Sequence, residues 1–152
     1  MAFTFSQTNL NNELETYDLA ISINPDAAII NSNVNPGQTL AGTIAVANTG
    51  LVKAGVYLTA DWGPNAGTSD REATLLANAL TVSVYLSADP NPTQEYYGSF
   101  MGLIDQEVIS SLNTTDDTEV YISITLPDTH SGPVLLGKSL NTDFVFVAVS
   151  VQ

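Results

Sequence analysis

Apolar residues in this chain recur at every second position, in one short segment after another, with turn-forming residues between them. Tyr17, Leu19, Ile21 and Ile23 alternate in this way, and so do Leu40, Ile44 and Val46, opposite Thr39 and Thr43. Val52, Ala54, Val56, Leu58 and Ala60 continue to Trp62; Leu80, Val82, Val84 and Leu86 repeat the scheme; Val120, Ile122, Ile124 and Leu126 follow. Each segment reads as a strand with one dry and one wet face, the pattern of antiparallel sheets. The last segment differs. Phe144 and Phe146 face one way, while Val145, Val147, Val149 and Val151 face the other. Two apolar faces predict a central strand covered on each side, or a strand covered by another chain.

The connectors carry turn chemistry at Asn35–Gly37, Asn48–Gly50, Gly63–Gly67 and Asp89–Pro92. Asn48-Thr49-Gly50 reads as a tight hairpin reversal into the strand from Val52. Ser69 and Glu72 have capping-box spacing ahead of "ATLLANAL" and predict about two turns of helix. Leu103–Leu112, with Ile104, Val108 and Leu112 at spacing four, reads as a second short helix. No βαβ alternation and no internal repeat is visible. The expected fold is all-β: a jelly-roll or immunoglobulin-like β-sandwich with one or two short helices. At 152 residues, one sandwich domain over 16–152 is preceded by an N-terminal segment, 1–15.

Charge narrows the partners. Sixteen acids against Lys53, Arg71 and Lys138 give a formal charge of −13, and three scattered cations cannot hold a phosphate backbone or an anionic lipid surface. Nucleic acid and membrane are therefore not expected partners. Only 12% of residues are charged, and Ser, Thr and Asn fill the polar positions, as is common in secreted and cell-surface β proteins. The opening "MAFTFSQTN" lacks the basic start and apolar stretch of a signal peptide, so an exported form is expected to be a processed one.

Chemistry is sparse. His130 is the single histidine, in the loop-like "LPDTHSGP", and no Gly-x-Ser-x-Gly elbow accompanies it; a solvated loop residue is the expectation. With one His and no Cys, neither a zinc site nor a disulfide framework is expected, and no cofactor motif occurs. The paired acids Asp116/Asp117, Asp70/Glu72 and Glu13/Glu15 neither show nor exclude a carboxylate pair. "NTTDDTE", Asn113–Glu119, reads as a solvated acidic loop without EF-hand spacing. Its Asn113-Thr114-Thr115 is a glycosylation sequon, meaningful only in a glycosylating export pathway.

The composite "VNPGQTLAGTIAVANTGLVKAGVYLTA", Val34–Ala60, resembles the TasA/camelysin (CalY) family of secreted biofilm-matrix fibre proteins, which has relatives among archaeal bundling pili. The family shows a Leu/Val-x-Pro-Gly-Asp turn, an alternating strand, an Asn-x-Gly reversal and a strand ending in small polar residues. Here the turn is Val34-Asn35-Pro36-Gly37-Gln38, with Gln in place of the acid, and the reversal is Asn48-Thr49-Gly50. "AFTFSQTN" looks like the family's mature N-terminus and "DFVFVAVSVQ" like its closing strand. The resemblance covers the two ends and the first third of the domain. It implies a jelly-roll subunit that polymerises head-to-tail by donor-strand complementation, with lateral bundling of neighbouring filaments. Camelysins are also described as metallopeptidases, but the missing histidines leave no zinc site to carry over.

The residues themselves fit such a role. Phe3 and Phe5 alternate with Thr4 and Ser6, and a polar Asn-rich stretch, 7–15, separates them from the first domain strand. Ala2, Phe3, Thr4, Phe5 and Ser6 form either a donor strand for the next subunit or an edge strand of their own domain. The expected acceptor groove is walled by Phe144, Val145, Phe146, Val147 and Val149. The alternative is a monomeric cell-surface adhesion or carbohydrate-binding sandwich whose loops use Trp62, Tyr96 and Tyr97. A carboxylate glycosidase has the least support.

Overall fold

A computed structural model describes residues 18–30, 33–86, 92–130 and 135–152. The expected donor strand, Ala2–Ser6, the tether, Glu13/Glu15 and Tyr17 lie outside the described residues, as does most of the Asp89–Pro92 turn. Among these residues eight strands are formed: β1 (Ile21–Asn24), β2 (Thr39–Asn48), β3 (Ala54–Pro64), β4 (Thr81–Leu86), β5 (Thr93–Ser99), β6 (Gln106–Leu112), β7 (Asp117–Thr125) and β8 (Leu140–Ser150). An α-helix, α1 (Asp70–Ala79), crosses from β3 to β4.

The fold is an all-β sandwich of two antiparallel sheets. One has five strands in the order β1-β2-β7-β4-β5, the other three in the order β6-β3-β8. The alternating residues meet between the sheets. Ile44, Val46, Val82, Val84, Val120, Ile122 and Ile124 of one sheet join Val56, Leu58, Ala60, Val108, Ile109 and Leu112 of the other in a single buried cluster. At ~25 cal/mol per Å² of apolar surface removed from water, this layer is the main source of stability.

Helix α1 begins as its capping box directs. Glu72 N donates to Ser69 Oγ at 3.3 Å, and Ser69 N donates to Glu72 Oε2 at 2.9 Å, so two otherwise orphaned donors are satisfied reciprocally. The helix runs for 10 residues and buries Ala73, Leu76, Ala77 and Ala79.

The Asn35–Gly37 turn also forms as expected. Gln38 N donates to Asn35 O at 2.9 Å, and Gly37 takes φ 80°, which a type II turn requires of its third residue. Gln38 Oε1 accepts from Asn35 N at 3.0 Å, supplying the acceptor that an acid would offer there.

Three readings are corrected. Leu103–Leu112 is not a helix. After a 3-10 turn at Phe100–Gly102, residues 106–112 form β6. On β3, Ala54 and Val56 are two positions apart, but their partners Leu112 and Ile109 are three apart; Val56 and Tyr57 are adjacent, but Ile109 and Glu107 are two apart. Each bulge adds a residue to β6, leaving Val108, Ile109 and Leu112 buried in a spacing that imitates a helix.

The Asn48–Gly50 reversal is not a hairpin either. β2 pairs with β1 and β7, whereas β3 pairs with β6 and β8. The turn is a corner at which the chain leaves one sheet for the other. Asn48 is 2% exposed, and its amide donates to Val52 O at 2.8 Å and to Leu112 O at 3.0 Å. Its Oδ1 accepts from Gly50 N at 3.0 Å, so all three side-chain bonds go to backbone. Gly50 N also donates to Ala20 O, and a Cβ at Gly50 would run into the Asp18 carbonyl and Ala20 N.

Strand β8 also departs from the sequence expectation. It is not central: among the described residues it pairs with β3 alone and forms an edge of its sheet.

Candidate functional site

Strand β8 is the feature that the sequence singled out, and its two faces have separate fates. Phe144 and Phe146 point inward, half-buried against the core, and the Phe144 ring meets Phe100 edge-on with centroids 6.4 Å apart. Val145, Val147 and Val149 point outward and are 41%, 48% and 40% exposed. The five expected groove residues therefore do not line one surface. What they share is a strand whose second backbone edge has no ladder partner among the described residues.

That edge lacks the usual protection. β8 is 11 residues long and holds register with β3 from Leu140↔Pro64 to Ser150↔Ala54 without a shift. Asp143 is its only charge, and it contains neither Lys nor Pro. The other edges are blunted: β1 has 4 residues, β5 has a register shift against β4 and carries Glu95, and β6 has its bulges and Glu107. Long, flat, apolar edges are the ones that recruit another strand.

The start of β8 is tied down from α1. Lys138 Nζ lies 2.8 Å from Glu72 Oε1, Ser139 N donates to Thr68 Oγ1 at 3.1 Å, and Asn65 N donates to Ser139 O at 3.2 Å. The Lys138 ammonium, together with the Ser69 backbone N–H, lowers the Glu72 carboxyl to a pKa of about 2. At the other end, a shallow depression lined by Leu19, Val52, Lys53, Ser150, Val151 and Gln152 joins the lead-in of β1 to the end of β8. Half-buried Ile21 and Ile23 on β1 flank the same core as Phe144 and Phe146.

The remaining candidates are dispersed. Trp62 stands on β3 in the three-stranded sheet and packs against the core, whereas Tyr96 and Tyr97 belong to β5 of the five-stranded sheet. Tyr96 is turned inward, its hydroxyl donating to Ser99 O at 2.7 Å, and burial raises its pKa. Tyr97 is 68% exposed. These aromatics form no common loop site. Asn113 sits exposed in the turn between β6 and β7, its amide donating to Asp116 Oδ2 at 3.0 Å. His130 closes a 3-10 turn, Asp128–His130. Among the described residues, no group of three or more His, Cys, Asp or Glu side chains could hold a metal ion, and no helix is long and apolar enough to cross a membrane.

The outer face of the five-stranded sheet was not anticipated. Its register aligns Thr39–Thr125–Thr81–Ser99, then Ala41–Ser123–Ser83–Tyr97, then Thr43–Tyr121–Tyr85–Gln94. No charge occurs in these rows, although the chain carries −13. Glu119 borders them, held by the Tyr121 hydroxyl, which raises the tyrosine's pKa. The opposite face of the sandwich is acidic by contrast, with Asp61 opposite Asp143 and Tyr57 donating to Glu107 at 3.0 Å.

No protein-family model matches the chain, and no curated protein matches it either. Among solved structures, AvmM, which catalyses macrocyclization in alchivemycin A biosynthesis, aligns over 88% of this chain and 89% of its own. The TM-score is 0.39 at 9% identity, a likeness too weak to bear on fold or chemistry.

Proposed function

We propose that this chain is the structural subunit of an extracellular filament, assembled head-to-tail by donor-strand complementation. Ala2–Ser6 of one copy would add to the edge of β8 in the next, the edge without a ladder partner among the described residues. The observation that carries this reading is the edge itself: 11 residues in unbroken register, nearly uncharged and with three exposed valines, while the other edges are short, bulged or acidic. A donor strand would supply the missing backbone bonds. Phe3 and Phe5, alternating with Thr4 and Ser6, would set its face and register against the apolar side chains of β8.

Head-to-tail contacts of this kind are heterologous, so they build a fibre unless the rotation closes a ring. The resemblance of Val34–Ala60 to the TasA/camelysin family points the same way. Negative-stain microscopy of the full chain and of a chain lacking residues 1–9 tests the proposal. Fibres are expected only from the full chain, and a synthetic 1–9 peptide is expected to cap their growth. Ordinary fibres from the truncated chain would refute it.

A further inference from the structure

Three uncharged rows on the outer face of the five-stranded sheet, bordered by Glu119 and Asp117, carry an inference independent of the filament reading. Three tyrosines converge there. Tyr121 and Tyr85 are direct cross-strand partners, and Tyr97 lies diagonally from Tyr85 on the next strand, about 7–8 Å away by sheet geometry. Two of the rings are held in place by their hydroxyls. Tyr85 accepts from Gln94 Nε2 at 3.0 Å, and Tyr121 donates to Glu119. Around them the register puts Ser83, Ser123 and Thr43, which offer hydroxyl donors and acceptors but no charge.

We infer that this face binds the neutral chain of a polysaccharide, the Tyr85–Tyr97–Tyr121 platform taking the apolar ring faces and the surrounding hydroxyls and Gln94 taking sugar hydroxyls. The chemistry selects this occupant. A nucleic acid or acidic glycan would meet no cation here and strong repulsion from the rest of the molecule. A basic partner would find Glu119 beside the platform already held by Tyr121, and more carboxylates on the opposite face, at Asp61, Asp143 and Glu107. A second copy fits less well, because interface cores are poor in Ser and Ala, which recur in these rows. Rigid tyrosines lose little entropy on contact, and each ring presents an apolar body beside a polar tip.

Native affinity electrophoresis of the full chain tests this, in gels containing hydroxyethyl cellulose, dextran or glucomannan, with alginate as the anionic comparison. Retardation is expected in at least one neutral gel, insensitive to added sodium chloride, and absent in alginate. Tyr97→Ala and Tyr85→Ala should each weaken it roughly tenfold, the scale of one lost aromatic contact. Tyr85→Phe should retain most of it, and Tyr57→Ala, on the other sheet, should retain all of it. Unchanged mobility in every neutral gel overturns the inference, as does an equal loss from Tyr57→Ala. Sedimentation showing that these tyrosines instead hold a dimer would also overturn it. Fibre formation is scored separately, so neither result stands in for the other.

Discussion

The side-chain amide of Asn48 donates to the backbone carbonyl of Leu112, 64 positions further along, at 3.0 Å. This bond ties the last residue of β2 to the last residue of β6, across the two sheets, at the corner where the chain changes sheet.

Replacing Asn48 by Ala strands the carbonyls of Val52 and Leu112 at the corner, while Gly50 N keeps its bond to Ala20 O. A loss of about 2–3 kcal/mol is expected in urea unfolding. Asn48→Asp should cost more at neutral pH, because a carboxylate cannot donate to two carbonyls and its charge is buried. Part of that deficit should return in acid, where the neutral carboxyl regains a donor. A pH-independent deficit would show that the amide's donors are not what matters.

Gly50→Ala should destabilise the fold by roughly 1–3 kcal/mol, the scale of overpacking. The added Cβ meets backbone, not a movable side chain, at Asp18 and Ala20. Gly67→Ala is a useful contrast. Gly67 is open to solvent at φ 85°, so its cost is conformational only, and about 1–2 kcal/mol is expected from the left-handed backbone. Thermal unfolding of the two variants, with proteolysis at the β1 lead-in, separates a displaced segment from a strained turn.

The Glu72–Lys138 pair gives the stability a definite acid dependence. The carboxyl is lowered in the fold from its ordinary value near 4.5 to about 2. The unfolded chain therefore binds the proton first as pH falls. The contribution is fully present above about 4.5 and disappears as pH drops through about 2. Urea midpoints of the parent and of Glu72→Gln should differ at pH 6 and converge near pH 2. A constant gap over that window would exclude the pair as its source.

Val147→Lys places a charge on the outward face of the unprotected β8 edge, where the native side chain is 48% exposed. Stability should stay within about ±0.5 kcal/mol, as for most surface changes. Fibre formation should fall sharply, since a Lys on an edge strand opposes strand addition. Undiminished fibres, counted by microscopy and thioflavin-independent light scattering, would move the acceptor away from β8.

Much of the local structure was legible before any fold was known. Period-two alternation located β2, β3, β4, β7 and β8, because a residue's face in a regular strand depends only on its parity. The reciprocal bonds of Ser69 and Glu72 and the type II turn over Asn35–Gln38 are equally local. They need only residues within one turn of each other. The candidate site was less legible. Its strand and the opposite facing of Phe144 and Val145 were legible, but its place at the edge of the three-stranded sheet was not.

The sequence by itself determined that the segments of β2, β3, β4, β7 and β8 are strands, where α1 starts, and that an acidic, cysteine-free chain would fold around apolar alternation. Tertiary structure alone decided which strands are neighbours, because pairing is a long-range choice that parity does not encode. It set β6 as a bulged strand by matching it to β3, and it turned Asn48–Gly50 from a hairpin into a corner between sheets. It also left β8 at an edge and gathered Tyr85, Tyr97 and Tyr121 in adjacent uncharged rows of one face. Each of these depends on contacts between residues far apart in the chain, whose free energy is realised only when both sheets close on the common core.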